Sequence, residues 1–284
     1  MTKIIYFDTN IYDHISKKIG FNDNDLILLK SKIAEKKISI LYSLLNVTEI
    51  SLLWNQDKKM TQEQLNLLLE LVDNNNLLKP NDLLIKHEVN RFLNNSVSYD
   101  PYYHDNDLVL KINTLLKNLS LNEKIINDSN IEEKNLKQNM HVGMINAKLE
   151  VAKEVKKLNK KNIKHPNFNQ YRNSLKIGLL KPILANIRKL NKCRERGLHN
   201  LLKHKSIRIY IDTSISLVYS QTFNKKAPDD GDGIDLKHVL LATAADIFVT
   251  DDKKLINLFK NFEHKDFKVI DLKAFMEEIK NPSF

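Results

Sequence analysis

Apolar positions along this chain fall into two rhythms. Residues 3–7 (KIIYF) form an unbroken β-prone run that stops at Asp8, Thr9 and Asn10, as a buried strand does where a helix begins. A second run of this kind covers residues 38–42, and a helical pattern then starts near residues 43–46 and passes Glu49 to reach Trp54. Leu65, Leu68, Leu69 and Val72 recur at helical spacing within residues 61–72. Residues 77–79 predict a third short strand, and Pro80, Asn81 and Asp82 start a helix over residues 83–93. From residue 96 to about 206 strand signal fades, and helical patches such as 140–158 and 175–190 replace it. The strand rhythm resumes with a strand predicted at 207–211, a loop at 229–233 and a helix at 234–245. A strand at 247–250, a helix at 252–259, a strand at 267–270 and a helix at 272–279 complete the pattern.

Short apolar strands alternating with helices predict an α/β fold with a mostly parallel central sheet covered by helices on both faces. Residues 1–95 and 207–284 form one expected domain, interrupted by a helical, basic insertion or subdomain at 96–206. Only six Gly and six Pro among 284 residues fit long helices with few tight turns.

Charge sharpens this division. The net charge is +10, yet residues 151–210 hold 17 Lys and Arg against two acids, Glu154 and Glu195, so the rest of the chain is net acidic. A basic stretch on an acidic body suits a polyanion, because neutralising phosphates releases condensed counterions. Lys156, Lys157, Lys160 and Lys161 are the expected nucleic-acid contacts, and Phe168 and Tyr171 are candidates for base stacking or for core packing. Cys193 is the single cysteine, which excludes an internal disulfide and a four-cysteine zinc site. Asp8 breaks the first apolar run, and no run approaches the roughly 20 apolar residues of a membrane helix. A soluble cytoplasmic protein is expected, without a membrane partner.

The candidate chemistry lies where predicted strands end. Asp8 follows the first strand, Thr250 and Asp252 follow the strand at 247–250, and Glu49 and Asp235 lie on helices adjoining strands. Ligands in open α/β sheets bind beyond the carboxyl ends of strands, at the switch in strand order. Carboxylates gathered there repel one another unless a cation neutralises them, and hard oxygen donors select Mg²⁺ or Mn²⁺.

Three stretches make a resemblance specific. Residues 3–11 (KIIYFDTNI) resemble the opening strand of PIN-domain nucleases, in which an Asp is followed by Thr or Ser and then Asn. Residues 46–53 (NVTEISLL) resemble the helix that bears the family's second acid, here Glu49. Residues 235–252 (DLKHVLLATAADIFVTDD) are similar to its closing motif, with Asp235 at a helix start and Thr250 and Asp252 after a strand. The match covers roughly the first 95 and last 75 residues, and the middle departs from the compact family pattern. The resemblance implies hydrolysis of RNA phosphodiester bonds with Mg²⁺ or Mn²⁺. One cation would lower the pKa of a bound water, and a second, about 4 Å away, would stabilise the leaving oxygen. Asp8 and Asp252 are then direct ligands, Glu49 and Asp235 ligate or hold metal-bound water, and Asn10 and Thr250 orient the set. By the same analogy the chain is a bacterial toxin or anti-phage effector, for which an antitoxin, another regulatory protein or a second copy of the chain are the partners to expect.

Other assignments stay open at this level. Asp8 also suits a helix cap, and Asp232 competes with Asp235. Asp251 reads as a surface neighbour or a ligand, and His238 as a group facing the site or a packed histidine. Asp212 ends the strand predicted at 207–211, as a fifth acid or a helix cap. The alternative functions are a PIN scaffold that grips RNA or a protein without cutting, and a structure-specific DNA nuclease. Gly231 and Gly233 lack the third glycine of a dinucleotide fingerprint, and His87-Glu88 lacks the second histidine of a zinc protease. Asn10 stands where a haloacid-dehalogenase-type phosphatase needs its second Asp.

Overall fold

The computed structural model describes residues 2–95, 98–117, 167–223, 231–260 and 267–281, with isolated positions between 119 and 153. Four parallel strands, β1 (Lys3–Phe7), β2 (Ile38–Leu41), β3 (Ile247–Val249) and β4 (Lys268–Ile270), form a sheet in the order β2-β1-β3-β4. The register pairs Ile5 with Ile40 and with Ile247, and Val249 with Ile270. The chain builds outward from β1 to β2, then returns to the other side of β1 to add β3. The strand order therefore switches at β1, and the crevice beyond the carboxyl ends of β1 and β3 is where such sheets bind ligands.

The first helices are α1 (Thr9–Ser16), α2 (Asp23–Ala34), α3 (Leu44–Ser51), α4 (Lys58–Leu71), α5 (Asn81–Leu93) and α6 (Asn106–Lys117). They are followed by α7 (Phe168–Asn186), α8 (Leu190–Glu195), α9 (Leu198–Leu201), α10 (Lys205–Phe223), α11 (Asp232–Ala242), α12 (Lys253–Phe259) and α13 (Leu272–Lys280). Successive strand side chains point to opposite faces, and the core divides accordingly. Ile5, Phe7, Ile38, Ile40, Ile247 and Val249 pack with Ile11, Leu29, Leu68 and Phe275 from α1, α2, α4 and α13. Tyr6, Leu41 and Phe248 face the other way, against Ile209, Val239, Leu241 and Leu255 from α10, α11 and α12. Each such side chain contributes roughly 1.5–3 kcal/mol when fully buried. Burial on two faces, more than strand propensity, thus holds elements as short as β3 and β4.

The four strands and the helices α3, α4, α5, α11, α12 and α13 follow the sequence pattern, whereas α2 is not among the expected elements. The strand expected at 207–211 is instead part of the first two turns of α10. Ile207, Ile209 and Ile211 alternate, but the pattern continues as Ile207, Ile211 and Ile215 on one face and Ile209 and Leu217 on another. A helix buried on two sides mimics strand alternation over five residues. Residues 77–79 make only isolated bridges, Tyr42 to Leu77 and Leu78 to Tyr102, and Pro80, which has no N–H, ends the pairing.

A third cluster joins Val89 and Phe92 of α5 to Tyr171, Leu180, Cys193 and Leu201 of α7–α9 and to the outer face of α10. Phe168 and Tyr171 pack edge-on against Tyr219, which takes the core-packing alternative for both. Within the stretch expected to be an insertion, α6 sets Val109 and Leu116 into the first cluster. Lys156, Lys157, Lys160 and Lys161, and most of the helical patch at 140–158, lie outside the described residues.

Candidate metal centre

Asp8 stands one residue beyond β1 and caps α1, with Thr9 N donating to its Oδ1 at 2.8 Å. Its other oxygen accepts from Thr250 Oγ1 at 2.6 Å and Asn10 Nδ2 at 3.0 Å. Thr250 Oγ1 also accepts from Asp252 N at 3.1 Å, so the turn after β3 is tied to the turn after β1. Asp252 caps α12, accepting from Lys254 N at 2.7 Å and Leu255 N at 3.1 Å. Both supporting residues named from the sequence, Asn10 and Thr250, thus touch Asp8.

Glu49 projects from α3, and its Oε2 accepts from Thr9 Oγ1 at 2.7 Å. His238, one turn along α11 from Asp235 and 2% exposed, sits between the acids. Its Nε2 is 2.6 Å from Glu49 Oε2 and 3.7 Å from Asp8 Oδ1. Among the described residues, Asp8, Glu49 and His238 are the group whose donor atoms all lie within 4.8 Å of one another. Asp235 and Asp252 are outside that tight set but belong to the same electrostatic neighbourhood.

The titration behaviour reflects this crowding. Burial, then the Asp252 and Asp8 carboxylates, push the Asp235 carboxyl up to about 7, although Lys254 and His238 oppose them. Asp8 is also raised, by burial foremost, with His238 and the Thr250 hydroxyl pulling it back. Burial alone would lower the His238 imidazole, but Asp8 and Glu49 outweigh it and the group is raised. Carboxyls raised by burial and by one another, beside a histidine raised by the same acids, describe a pocket short of positive charge. Two carboxylates and an imidazole are a donor set that fits a divalent cation such as Mn²⁺.

The remaining candidates lie elsewhere. Asp232 is fully buried but pairs with Lys254 and accepts from Gln221 Nε2 at 2.6 Å. Asp251 accepts from Leu272 N at 2.9 Å and contacts His14 Nδ1 at 2.5 Å, facing α1 and α13. Asp212 neither ends a strand nor caps a helix. It is buried in the middle of α10, held by Arg172 and by Lys176 at 3.6 Å.

Three polar residues escaped the sequence reading. Tyr6 turns its hydroxyl toward His238 Nδ1 at 2.9 Å and Ser43 Oγ at 2.9 Å, and Asn46 lies beyond Ser43. A hydroxyl between Ile5 and Phe7 of a buried strand, two positions before Asp8, was the available signal. No protein-family model, curated protein or solved structure matches this chain.

Proposed function

We propose that this chain is a Mg²⁺- or Mn²⁺-dependent endoribonuclease in which Asp8, Glu49, Asp235 and Asp252 hold the cation. The observation that carries this reading is geometric: donor atoms of Asp8, Glu49 and His238 lie within 4.8 Å of one another, and the turn that bears Thr250 and Asp252 is bonded to Asp8. Acids from opposite ends of the chain are thus held within reach of one another at the sheet's switch point, an arrangement that favours a bound cation.

When bound, a divalent cation supplies an acidified water and neutralises charge on the scissile phosphate. The chain's own residues aim the site. Thr250 and Asn10 fix one oxygen of Asp8, Thr9 spans from the Asp8 cap to Glu49, and Asp252 is set by the first turn of α12. The basic stretch at 151–210 would draw the RNA backbone to the protein by charge.

Incubating the protein with mixed RNA and single- and double-stranded DNA, with and without Mn²⁺, tests the reaction class. Mn²⁺-dependent RNA cleavage is expected, with loss of at least a hundredfold in Asp8→Asn and in Asp252→Asn while both remain folded. Undiminished cleavage in both variants would refute the site. Cleavage of DNA alone would move the substrate, and binding of RNA without cleavage would leave a gripping module.

A further inference from the structure

Hydrogen-bond direction along a buried chain of side chains fixes how His238 presents itself to the acids. The chain starts at Asn46, whose Nδ2 donates to the Phe7 carbonyl at 3.1 Å. Its Oδ1 accepts from Ser43 N at 3.1 Å, so the orientation of the amide is set by backbone on both sides. Ser43 Oγ lies 2.8 Å from that oxygen, which has no proton to give, so the Ser43 hydroxyl must donate. Its single proton is then committed, and it accepts from Asn46 N at 3.3 Å and from the Tyr6 hydroxyl at 2.9 Å. Tyr6 has in turn given its proton to Ser43, so toward His238 Nδ1, 2.9 Å away, it can only accept. The proton therefore sits on Nδ1. The remaining ring nitrogen, Nε2, is the one aimed at Glu49 and Asp8.

We infer that His238 is a ligand of the metal centre, binding through Nε2, with the Asn46–Ser43–Tyr6 chain acting as the partner that fixes its tautomer. Ligating histidines commonly donate their other N–H to a partner that fixes the ring, and such partners strongly influence affinity. Here that partner is a tyrosine hydroxyl polarised through a serine to an amide. A cation held between Nε2, Glu49 and Asp8 would take the place of the proton between the imidazole and Glu49, which would leave to solvent. The donor set becomes mixed nitrogen and oxygen. That favours Mn²⁺ and other borderline first-row cations over Mg²⁺, which prefers oxygen alone. The assignment rests on the metal-dependent reading of the site and adds a ligand that the sequence motifs did not supply.

Electron paramagnetic resonance of bound Mn²⁺ tests it without recourse to activity. The expected echo-modulation spectrum of the unaltered protein contains ¹⁴N coupling from a directly bound imidazole, and His238→Gln abolishes it. Mn²⁺ affinity is expected to fall about 10- to 100-fold in Tyr6→Phe, which keeps the imidazole but removes its acceptor. His238→Gln should also bring the Mn²⁺ and Mg²⁺ affinities closer together. Stoichiometric Mn²⁺ binding without ¹⁴N coupling overturns the assignment and leaves the carboxylate centre standing. No Mn²⁺ binding at all overturns both. The spectrum of the unaltered protein decides the point even where His238→Gln fails to fold.

Discussion

Replacing Asp235 by Asn removes one negative charge from the crowded pocket while keeping the side chain's shape. The Asp235 carboxyl is raised from its ordinary 3.8 to about 7, which corresponds to roughly 4 kcal/mol at face value. Asp235 is only partly buried, and solvent screening reduces the expected figure to about 2 kcal/mol. The sign follows from proton linkage. The folded chain holds this proton more tightly than the unfolded chain, so the contribution is complete below pH 3.8 and is lost as pH rises to about 7. In metal-free buffer at pH 8, Asp235→Asn should therefore melt about 4–8 °C above the unaltered protein, and the difference should vanish near pH 3.5. Adding Mn²⁺ should invert the order, because the four-acid site gains more by mass action than the three-acid site. Thermal melts across pH with EDTA or Mn²⁺ measure both effects. A variant that melts at or below the unaltered protein at pH 8 in EDTA, or a gap independent of pH, would refute the reasoning.

Two further outcomes are expected. Asp212→Ala leaves Arg172 and Lys176 without a carboxylate that is wholly buried in α10. It should destabilise the fold by about 3 kcal/mol in denaturant titrations and leave Mn²⁺ affinity unchanged in calorimetry; a fall in affinity matching that of Asp8→Asn would make Asp212 part of the site. Neutralising Lys156, Lys157, Lys160 and Lys161 should flatten the salt dependence of RNA binding, by roughly 0.7–0.9 in log–log slope for each phosphate that the protein no longer neutralises. An unchanged slope would assign these lysines to solvated surface.

The sheet was legible in the sequence because each strand is a short apolar run ended by a polar turn. Residues buried on two faces leave no alternation to misplace. The helix α10 was not legible, because a five-residue window cannot separate a strand from a helix buried on opposite sides. Ile207, Ile209 and Ile211 satisfy both, and only Ile215 and Leu217 decide. Among site residues, Asp8, Asn10 and Thr250 follow from their places at strand ends. His238 could not be weighted in the same way. Its meaning depends on Glu49, 189 positions away in sequence, and on Tyr6, 232 positions away. Asp212 misled for the same reason as α10, since its apparent strand-end position disappears once the segment is helical.

Asp8 and Asp252 each cap a helix with the carboxylate that the proposed function assigns to the cation. First-turn amides at two helix starts thus hold the direction of both acids, so that a cation bound there as proposed would need little rearrangement. This double duty also governs how the site tolerates change. At Asp252 asparagine keeps the cap and removes only the charge, at Asp8 it also gives up the acceptor facing Thr250 and Asn10, and alanine at either position costs the helix start about 1 kcal/mol. A chain altered to alanine at either position would lose its aim together with its charge.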